Sequence, residues 1–438
     1  MSSISGQLLR GSVWITISRA LTNGLGVLST FILAWNLSPA DFGVVAIATT
    51  FILILTTVTE FSLSAALVQH ASPGVSHINA AWTLNAIRGA LLCIITWAIA
   101  IPVASIFDEY RLVPILVALG VSLLIGGLAN PKLAMAQRAL QFHQDVIVTV
   151  GQKLVGFIVA IAIAIIFKSY WALVFGTIAT QVASVVISYA VMPFRPRVTL
   201  RHFREFFTFS GWVTASQVVN TLNWRFDQLL VGKMLGSTVL GYYTMGSNLA
   251  LTPTRETTAP LMKTIFPAFS TIRGDNNRLA AAYQRSQSIV TAIALPAGIG
   301  VAAIADPLIR LALGDRWLPV IFIVQSLASI YALQTLGSLA QPLGMALGES
   351  RVLFNRDLQL LILRVPAMLA GAMLGGLPGV VIARVFTGIL SIPFNMFLVR
   401  KFIGLQLVDQ VLVNVRALLA STVMGVTVLA YSRTFLHV

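Results

Sequence analysis

Residues 12–35 read SVWITISRALTNGLGVLSTFILAW. A helix of about 20 apolar residues crosses the hydrocarbon core of a bilayer, so this run is long enough to span. It also carries a charge. Thr16, Arg19, Asn23 and Thr30 are spaced 3, 4 and 7, which sets them on one helical face. A polar stripe on a spanning helix faces protein or a wet cavity, because an ionisable group at the bilayer centre costs at least about 2.5–3.5 kcal/mol.

Twelve further runs of spanning length follow, at 42–67, 80–106, 112–135, 146–167, 170–192, 210–235, 240–267, 286–313, 318–347, 354–376, 378–399 and 411–432. Composition agrees: 57% of the 438 residues are hydrophobic, 10% are charged, and mean hydropathy is +0.88. A soluble domain carries about 25% charged residues. The chain is therefore expected to be an all-α integral membrane protein. Pro253, Pro260 and Pro267 should bend the 240–267 run.

The net charge of +15 is also a footprint of nucleic-acid binding. Here the cations fall mostly in the gaps between runs, where membrane proteins collect them for topological reasons, so no nucleic-acid partner is expected. One set of gaps holds Arg10, Lys132, Arg138, Arg195, Arg197, Arg201, Arg204, Arg273, Arg278, Arg351, Arg356, Arg400 and Lys401. The alternate set holds Arg111, Lys168 and Arg316, beside Asp41, Asp108, Glu109 and Asp315. This bias places the N-terminus in the cytoplasm and, with thirteen spans, the C-terminus outside. Cys93 stands alone and the five histidines lack zinc-ligand spacing, so neither a disulfide framework nor a metal is expected. The first run has no small-residue cleavage site and does not read as a signal peptide.

An internal repeat is legible. Trp14-Ile15-Thr16-Ile17-Ser18 matches Trp212-Val213-Thr214-Ala215-Ser216, and the same offset sets Leu37 on Leu235 and Gly43 on Gly241. Six spans separate the copies, so both point the same way, a parallel repeat with a substrate path expected between the halves. Thr199 to Phe209, TLRHFREFFTF, reads as an amphipathic interfacial helix near the junction. The organisation expected is an N-terminal six-helix lobe at 1–197, a linker and C-terminal six-helix lobe at 198–405, and an additional helix at 406–438, with room for one more.

The seventh run repeats the polar stripe with Gln217, Thr221, Arg225 and Gln228, widened by Asn220, Asn223 and Asp227. Glu60, Arg88, Lys153, Arg255, Glu256, Arg364 and Arg384 also fall inside runs. Arg19, Glu60, Arg88 and Lys153 lie about 9–14 Å from the cytoplasmic ends at 1.5 Å per residue. Any one of these charges has a plain structural reading: Glu60 with Arg88, or Asp227 with a neighbouring arginine, as an interhelical pair. Lys153 and Arg384 read as snorkelling side chains. The excess of cations as a group points to a cavity for an anion, and the planar fork of arginine suits a diphosphate. Asn130-Pro131 and Gln341-Pro342 break equivalent spans and are candidate hinges.

LSPADFGVVA (37–46), EFSLSAALVQ (60–69) and RFDQLLVGKMLGSTVLGYYTMG (225–246) resemble the polysaccharide transporters of the multidrug/oligosaccharidyl-lipid/polysaccharide exporter superfamily, including the Wzx-type flippases. The resemblance spans nearly the whole chain. It implies two six-helix lobes in a V, a cationic cavity, alternating access and an undecaprenyl-diphosphate-linked oligosaccharide as substrate. Arg19, Arg88, Arg225, Arg255 and Arg364 then become the diphosphate ligands. Asn23, Gln217, Thr221 and Asn223 become polar cavity residues. Glu60 and Asp227 become candidate carboxylates for coupling to H+ or Na+, with no other cofactor expected. A glycosyltransferase and a polymerase are the expected protein partners, in a bacterial inner membrane.

The rival readings are a multidrug or metabolite exporter of the same layout, which would need acids in its cavity for cationic drugs, and a membrane enzyme acting on lipid sugars. No outside gap exceeds about ten residues or carries a catalytic constellation, and no P-loop is present.

Overall fold

The computed structural model describes residues 4–59, 74–138, 142–200 and 211–435. These residues form helices with no strand among them, in two compact units, Met1–Gly211 and Trp212–Val438. Glu60, the 60–69 motif and nearly all of the 199–209 stretch lie outside the described residues.

The first unit opens with α1 (Ile4–Asn36) and α2 (Pro39–Val58). The 37–46 motif sets the turn between them. The Ser38 hydroxyl accepts from the Asp41 amide at 3.3 Å, and Asp41 Oδ2 accepts from the Ser38 amide at 2.9 Å. This reciprocal cap, with Pro39 at the first helical position, satisfies donors that a helix start leaves open. Next come α3 (Val75–Phe107), α4 (Leu112–Gly127), the short α5 (Lys132–Arg138), α6 (Phe142–Phe167) and α7 (Trp171–Val191). Between α3 and α4, Arg111 holds Glu109 at 2.7 Å, and those hydrogen bonds raise its guanidinium above its ordinary range.

The second unit begins with a helical stretch, Gly211–Thr271, broken at Gly236 (φ 83°) into α8 (211–235) and α9 (237–271). Then follow α10 (Asn276–Ala303), α11 (Ala305–Ala312), α12 (Val320–Gln334) and α13 (Ala340–Ala346). Ser350–Ile403 is broken at Gly376 (φ 55°) into α14 (350–375) and α15 (377–403). The chain ends with α16 (Leu407–Leu412) and α17 (Val415–Phe435), which packs on α10.

Over its described residues, each of the thirteen runs corresponds to a helix or a broken helix pair. Eight described helices are long and apolar enough to cross a membrane, and Leu112–Gly127 and Val415–Tyr431 are shorter apolar ones. With the matching relatives described below, this makes the chain a multi-pass membrane protein. The repeat register reappears in the backbone. Adding the 198-residue offset to Ser38, the cap of α2, gives Gly236, the break between α8 and α9.

The three prolines of α9 lie within continuous helical dihedrals, since Gly236 alone in 211–271 departs from them. Two expectations need correction. The 286–313 run divides at Ile304, where a buried α10 gives way to the amphipathic α11 with its Asp306–Arg310 pair. The break in the tenth span lies at Thr335–Gly337, a 3-10 turn, and Pro342 sits in the first turns of α13, where a missing amide costs little. The fourth span does break beside Asn130-Pro131. There Asn130 Nδ2 donates to the carbonyls of Ser188 and Met192 and so caps α7.

Close helix approach in the first unit rests on glycine. A Cβ on Gly89 would lie 2.8 Å from the Leu123 carbonyl, and one on Gly127 would lie 2.6 Å from that of Asn85. Both contacts are with backbone, so the α3–α4 seam has no give. A Gly127→Val variant should lose about 1–3 kcal/mol through overpacking, read as a lower thermal unfolding midpoint of the detergent-purified protein.

Candidate functional site

The second unit holds a polar cavity of about 500 Å³, within the range of about 300–1,000 Å³ common for ligand sites. It is lined from α8 (Asn220, Asn223, Trp224), α9 (Leu251, Thr254, Arg255, Thr258), α12 and its 3-10 extension (Tyr331, Gln334, Thr335), α14 (Arg356, Asp357, Arg364) and α15 (Ser391, Asn395). Arg255, Arg356 and Arg364 and one carboxylate, Asp357, line that wall; Arg255 is largely exposed and pairs with the neighbouring Glu256 at 3.4 Å, so the positive charge left over is that of Arg364.

Beside the cavity lies a buried ionic cluster. The Asp227 carboxylate accepts from the Tyr243 hydroxyl at 2.6 Å and the Gln228 amide at 2.9 Å, and Arg384 Nε stands 3.8 Å from it. Arg384 is 2% exposed and lies against the rings of Trp224 and Tyr331, 5.2 and 5.7 Å from their centroids. Cation–π attraction of this kind strengthens when the pair is desolvated.

A second layer connects the cluster to the cavity. Arg364 Nη1 donates to the Asn223 carbonyl at 2.6 Å, and Asn223 Nδ2 donates to the Asp357 carbonyl at 2.7 Å. Arg356 pairs with Asp357 at 2.8 Å and donates to Asn395 Oδ1 at 2.7 Å. Several atoms of this network have no hydrogen-bond partner among the described residues: Asn223 Oδ1, Thr254 Oγ1, and Nε of both Arg356 and Arg364. Buried polar atoms are nearly always partnered, so these enclosed atoms are an exception within the wall of the cavity.

The structure brings together Arg255, Arg364 and Asn223 of the sequence-derived candidates. Asp227 sits in the adjoining cluster. Arg225 turns to Gln228, with Nη1 3.3 Å from Oε1, and does not line the cavity; nor do Gln217 and Thr221. In the first unit Arg88 donates to the Thr56 carbonyl at 2.7 Å and to the Thr59 hydroxyl at 3.2 Å, at the end of α2. Arg19 and Asn23 remain on the half-buried face of α1. Two readings are corrected. Arg384 does not snorkel but is enclosed, and Arg356 is not a loop cation but a buried partner of Asp357. Sequence reasoning also missed Tyr331, Gln334 and Asn395; the adjacent opposite charges of Arg356-Asp357 were the one available signal.

Known proteins place this arrangement in context. The sequence model of the family described as "Polysaccharide biosynthesis protein" matches residues 32–322. The lipopolysaccharide biosynthesis protein WzxC of Escherichia coli (strain K12) is 21% identical over 407 residues, covering 91% of this chain and 82% of that protein. The succinoglycan biosynthesis transport protein ExoT of Rhizobium meliloti (strain 1021) is 23% identical over 345 residues, 78% of this chain and 69% of that protein. Among solved structures, the lipid II flippase MurJ in its inward closed conformation superposes with a TM-score of 0.73 at 15% identity, covering 96% of this chain and 93% of that one. At that identity the likeness shows the fold.

The ionic cluster has a stability signature. Arg384→Met leaves the Asp227 charge buried without its cation and should cost about 3–5 kcal/mol. Adding Asp227→Asn to it should recover part of that loss, measured by thermal unfolding of both variants in the same detergent.

Proposed function

The chain belongs to the family of polysaccharide biosynthesis proteins, and from that premise we propose that it flips undecaprenyl-diphosphate-linked oligosaccharide repeat units from the cytoplasmic to the periplasmic leaflet of a bacterial inner membrane. The movement serves exopolysaccharide or O-antigen assembly and proceeds by alternating access. The observation that supports this reading is the cavity whose lining holds Arg364, a buried cation with no carboxylate in ion-pair contact among the described residues, beside the Arg356–Asp357 and Arg255–Glu256 pairs. A cationic drug would meet repulsion there, whereas an anionic lipid-linked headgroup supplies the missing counter-charge.

In this reading the protein is a transporter, not an enzyme. Arg364 and Arg255 are the anion ligands of the second unit, and Arg19, on the polar stripe of α1, is that of the first. Arg88 supports the end of α2. Arg225 acts at the edge of the α8 stripe. Asp227 is a coupling carboxylate only if a proton or sodium ion displaces Arg384 from it; Glu60 is the other candidate. A glycosyltransferase upstream and a polymerase downstream are the protein partners.

Transport of a fluorescent lipid-diphosphate oligosaccharide in proteoliposomes tests the reading. Arg364→Ala should lower the rate about tenfold or more, the loss of a charge-assisted contact, while Arg310→Ala on the exposed face of α11 leaves it unchanged. Wild-type rates in a folded Arg364→Ala protein would remove the cavity from the path. In a Cys93→Ala background, Arg273→Cys should react with an impermeant thiol reagent only from the cytoplasmic side and Asp108→Cys only from the opposite side. The reverse pattern would invert the topology.

A further inference from the structure

A second opening lies at the cation-rich end of the α14–α15 pair, within a stretch apolar enough to cross a membrane. It is a groove of about 340 Å³. Asn355, Arg356 and Gln359 line it from α14, and Phe394, Phe397 and Lys401 line it from α15. Each set falls on one helical face. Gly376 turns α15 back along α14, and Arg356 Nη1, donating to Asn395 Oδ1 at 2.7 Å, fixes which residues stand opposite one another. Lys401 is therefore at the open end, close to the end of α15 at Ile403. Asn355 comes next, and Gln359 stands one turn deeper, about 6 Å further along the axis.

The side chains of Lys401, Asn355 and Gln359 are exposed, and none has a hydrogen-bond or ion-pair partner among the described residues. Arg356 is closed on Asp357 at 2.8 Å, so the charge left to the groove is that of Lys401. Phe394 and Phe397 are 40% and 56% exposed. Gln359 is the residue that a spanning helix does not explain. It lies about 13 Å from the start of α14, where an exposed amide without a partner is costly. A phospholipid presents its groups in the matching order from water inward: phosphate, then ester carbonyls, then chains. Lys401 is placed for the first, the donors of Asn355 and Gln359 for the second, and the two rings for the third.

We propose that this groove is a binding site for an anionic phospholipid, a phosphodiester with one negative charge, held by Lys401 at its phosphate and by Asn355 and Gln359 at its glycerol esters. The charge count selects the class. One uncompensated cation matches one phosphodiester, whereas a zwitterionic lipid would bring its own cation to Lys401 and a diphosphate would bring a second negative charge that nothing in the groove answers. The site is separate from the cavity described above, although Arg356 forms part of the wall of both. It goes beyond the flippase reading and does not depend on it.

Native mass spectrometry of the full chain in detergent, titrated with dioleoyl phosphatidylglycerol or dioleoyl phosphatidylcholine, tests the site. The anionic lipid should bind about tenfold tighter, as one charge-assisted contact allows. Lys401→Gln should abolish that preference. Arg400→Gln, which removes the neighbouring cation outside the groove, should keep it. Gln359→Leu should weaken both lipids severalfold, since both carry the ester carbonyls, while the unfolding midpoint does not fall. Equal affinity for the two lipids overturns the proposal. So does an equal loss in the Lys401 and Arg400 variants, which would reduce the preference to diffuse surface charge. Displacement of phosphatidylglycerol by inorganic phosphate would make this a site for the free anion, and displacement by undecaprenyl diphosphate at lower concentration would give it to the cargo; either result overturns the phospholipid assignment. Failure of the proteoliposome transport assay would leave these binding outcomes unchanged.

Discussion

A guanidinium group enclosed in a membrane helix bundle must find, in side chains and backbone, everything that water would have supplied. Arg384 is such a group here, held by a carboxylate and two aromatic rings although its Nε and Nη1 have no hydrogen-bond partner among the described residues. Its charge lies 3.8 Å from Asp227 on α8, its faces lie against Trp224 on α8 and Tyr331 on α12, and Asp227 in turn takes a hydrogen bond from Tyr243 on α9. One cation on α15 thus engages α8 and α12 directly and α9 through Asp227. Without this arrangement the desolvation penalty of several kcal/mol per ion would go uncompensated. With it, the helices gain a reason for their register that apolar packing does not supply in lipid, where tails are as apolar as leucine.

The cluster also explains why residues 225–246 form so recognisable a motif. They are a helical hairpin. Gly236, at φ 83°, makes the turn that an L side chain would strain. Asp227 and Tyr243, sixteen residues apart, stand one on each arm and are joined at 2.6 Å. Gly246 admits Ile323 of α12, whose Cγ2 would lie 2.6 Å from a Cβ at that position. Tyr242, facing away from its neighbour's partner, meets the buried Trp317 edge-on at 6.0 Å. The motif's charged, aromatic and glycine positions therefore answer to one local problem, the closing of α8 on α9 over a buried carboxylate.

How much of this could be read from the sequence depended on which coordinate of a side chain mattered. Hydropathy and loop charge give depth along the membrane normal, and the thirteen runs correspond to helices in order. The offset relating Trp14 to Trp212 also relates the turn at Ser38 to that at Gly236. Direction around the helix axis is a tertiary property. Arg384, at a depth from which a side chain can snorkel, is turned inward onto Trp224. Arg356, near a loop, is turned onto Asp357. The polar stripe on α8 was seen as a stripe, yet of its members Asn220 and Asn223 reach the cavity while Gln217 and Thr221 do not. Short helices such as α11 and α13 were hidden inside apolar runs because hydropathy does not register a change of axis.

Arginines inside a membrane can be sorted by what their nitrogen atoms meet. Arg88 donates to the Thr56 carbonyl and the Thr59 hydroxyl, at a helix end where carbonyls otherwise lack donors. Arg356 is closed by Asp357 and Asn395. Arg384 has a carboxylate and two rings. Arg364 differs from Arg356 and Arg384 in one respect: Nη1 is anchored on the Asn223 carbonyl, and no carboxylate lies in ion-pair contact with it among the described residues. A half-anchored cation is held in place yet not neutralised. Among the described residues of the second unit the buried ionic side chains are Arg356, Arg364, Arg384, Asp227 and Asp357, so the positive excess among them is one, and by elimination it resides on Arg364. Folding alone gives no reason to keep such a charge, because an apolar side chain of similar volume would be as stable or more so. Its retention is accounted for if the compensating negative charge arrives with the cargo, so that the unit is electrostatically complete only when loaded.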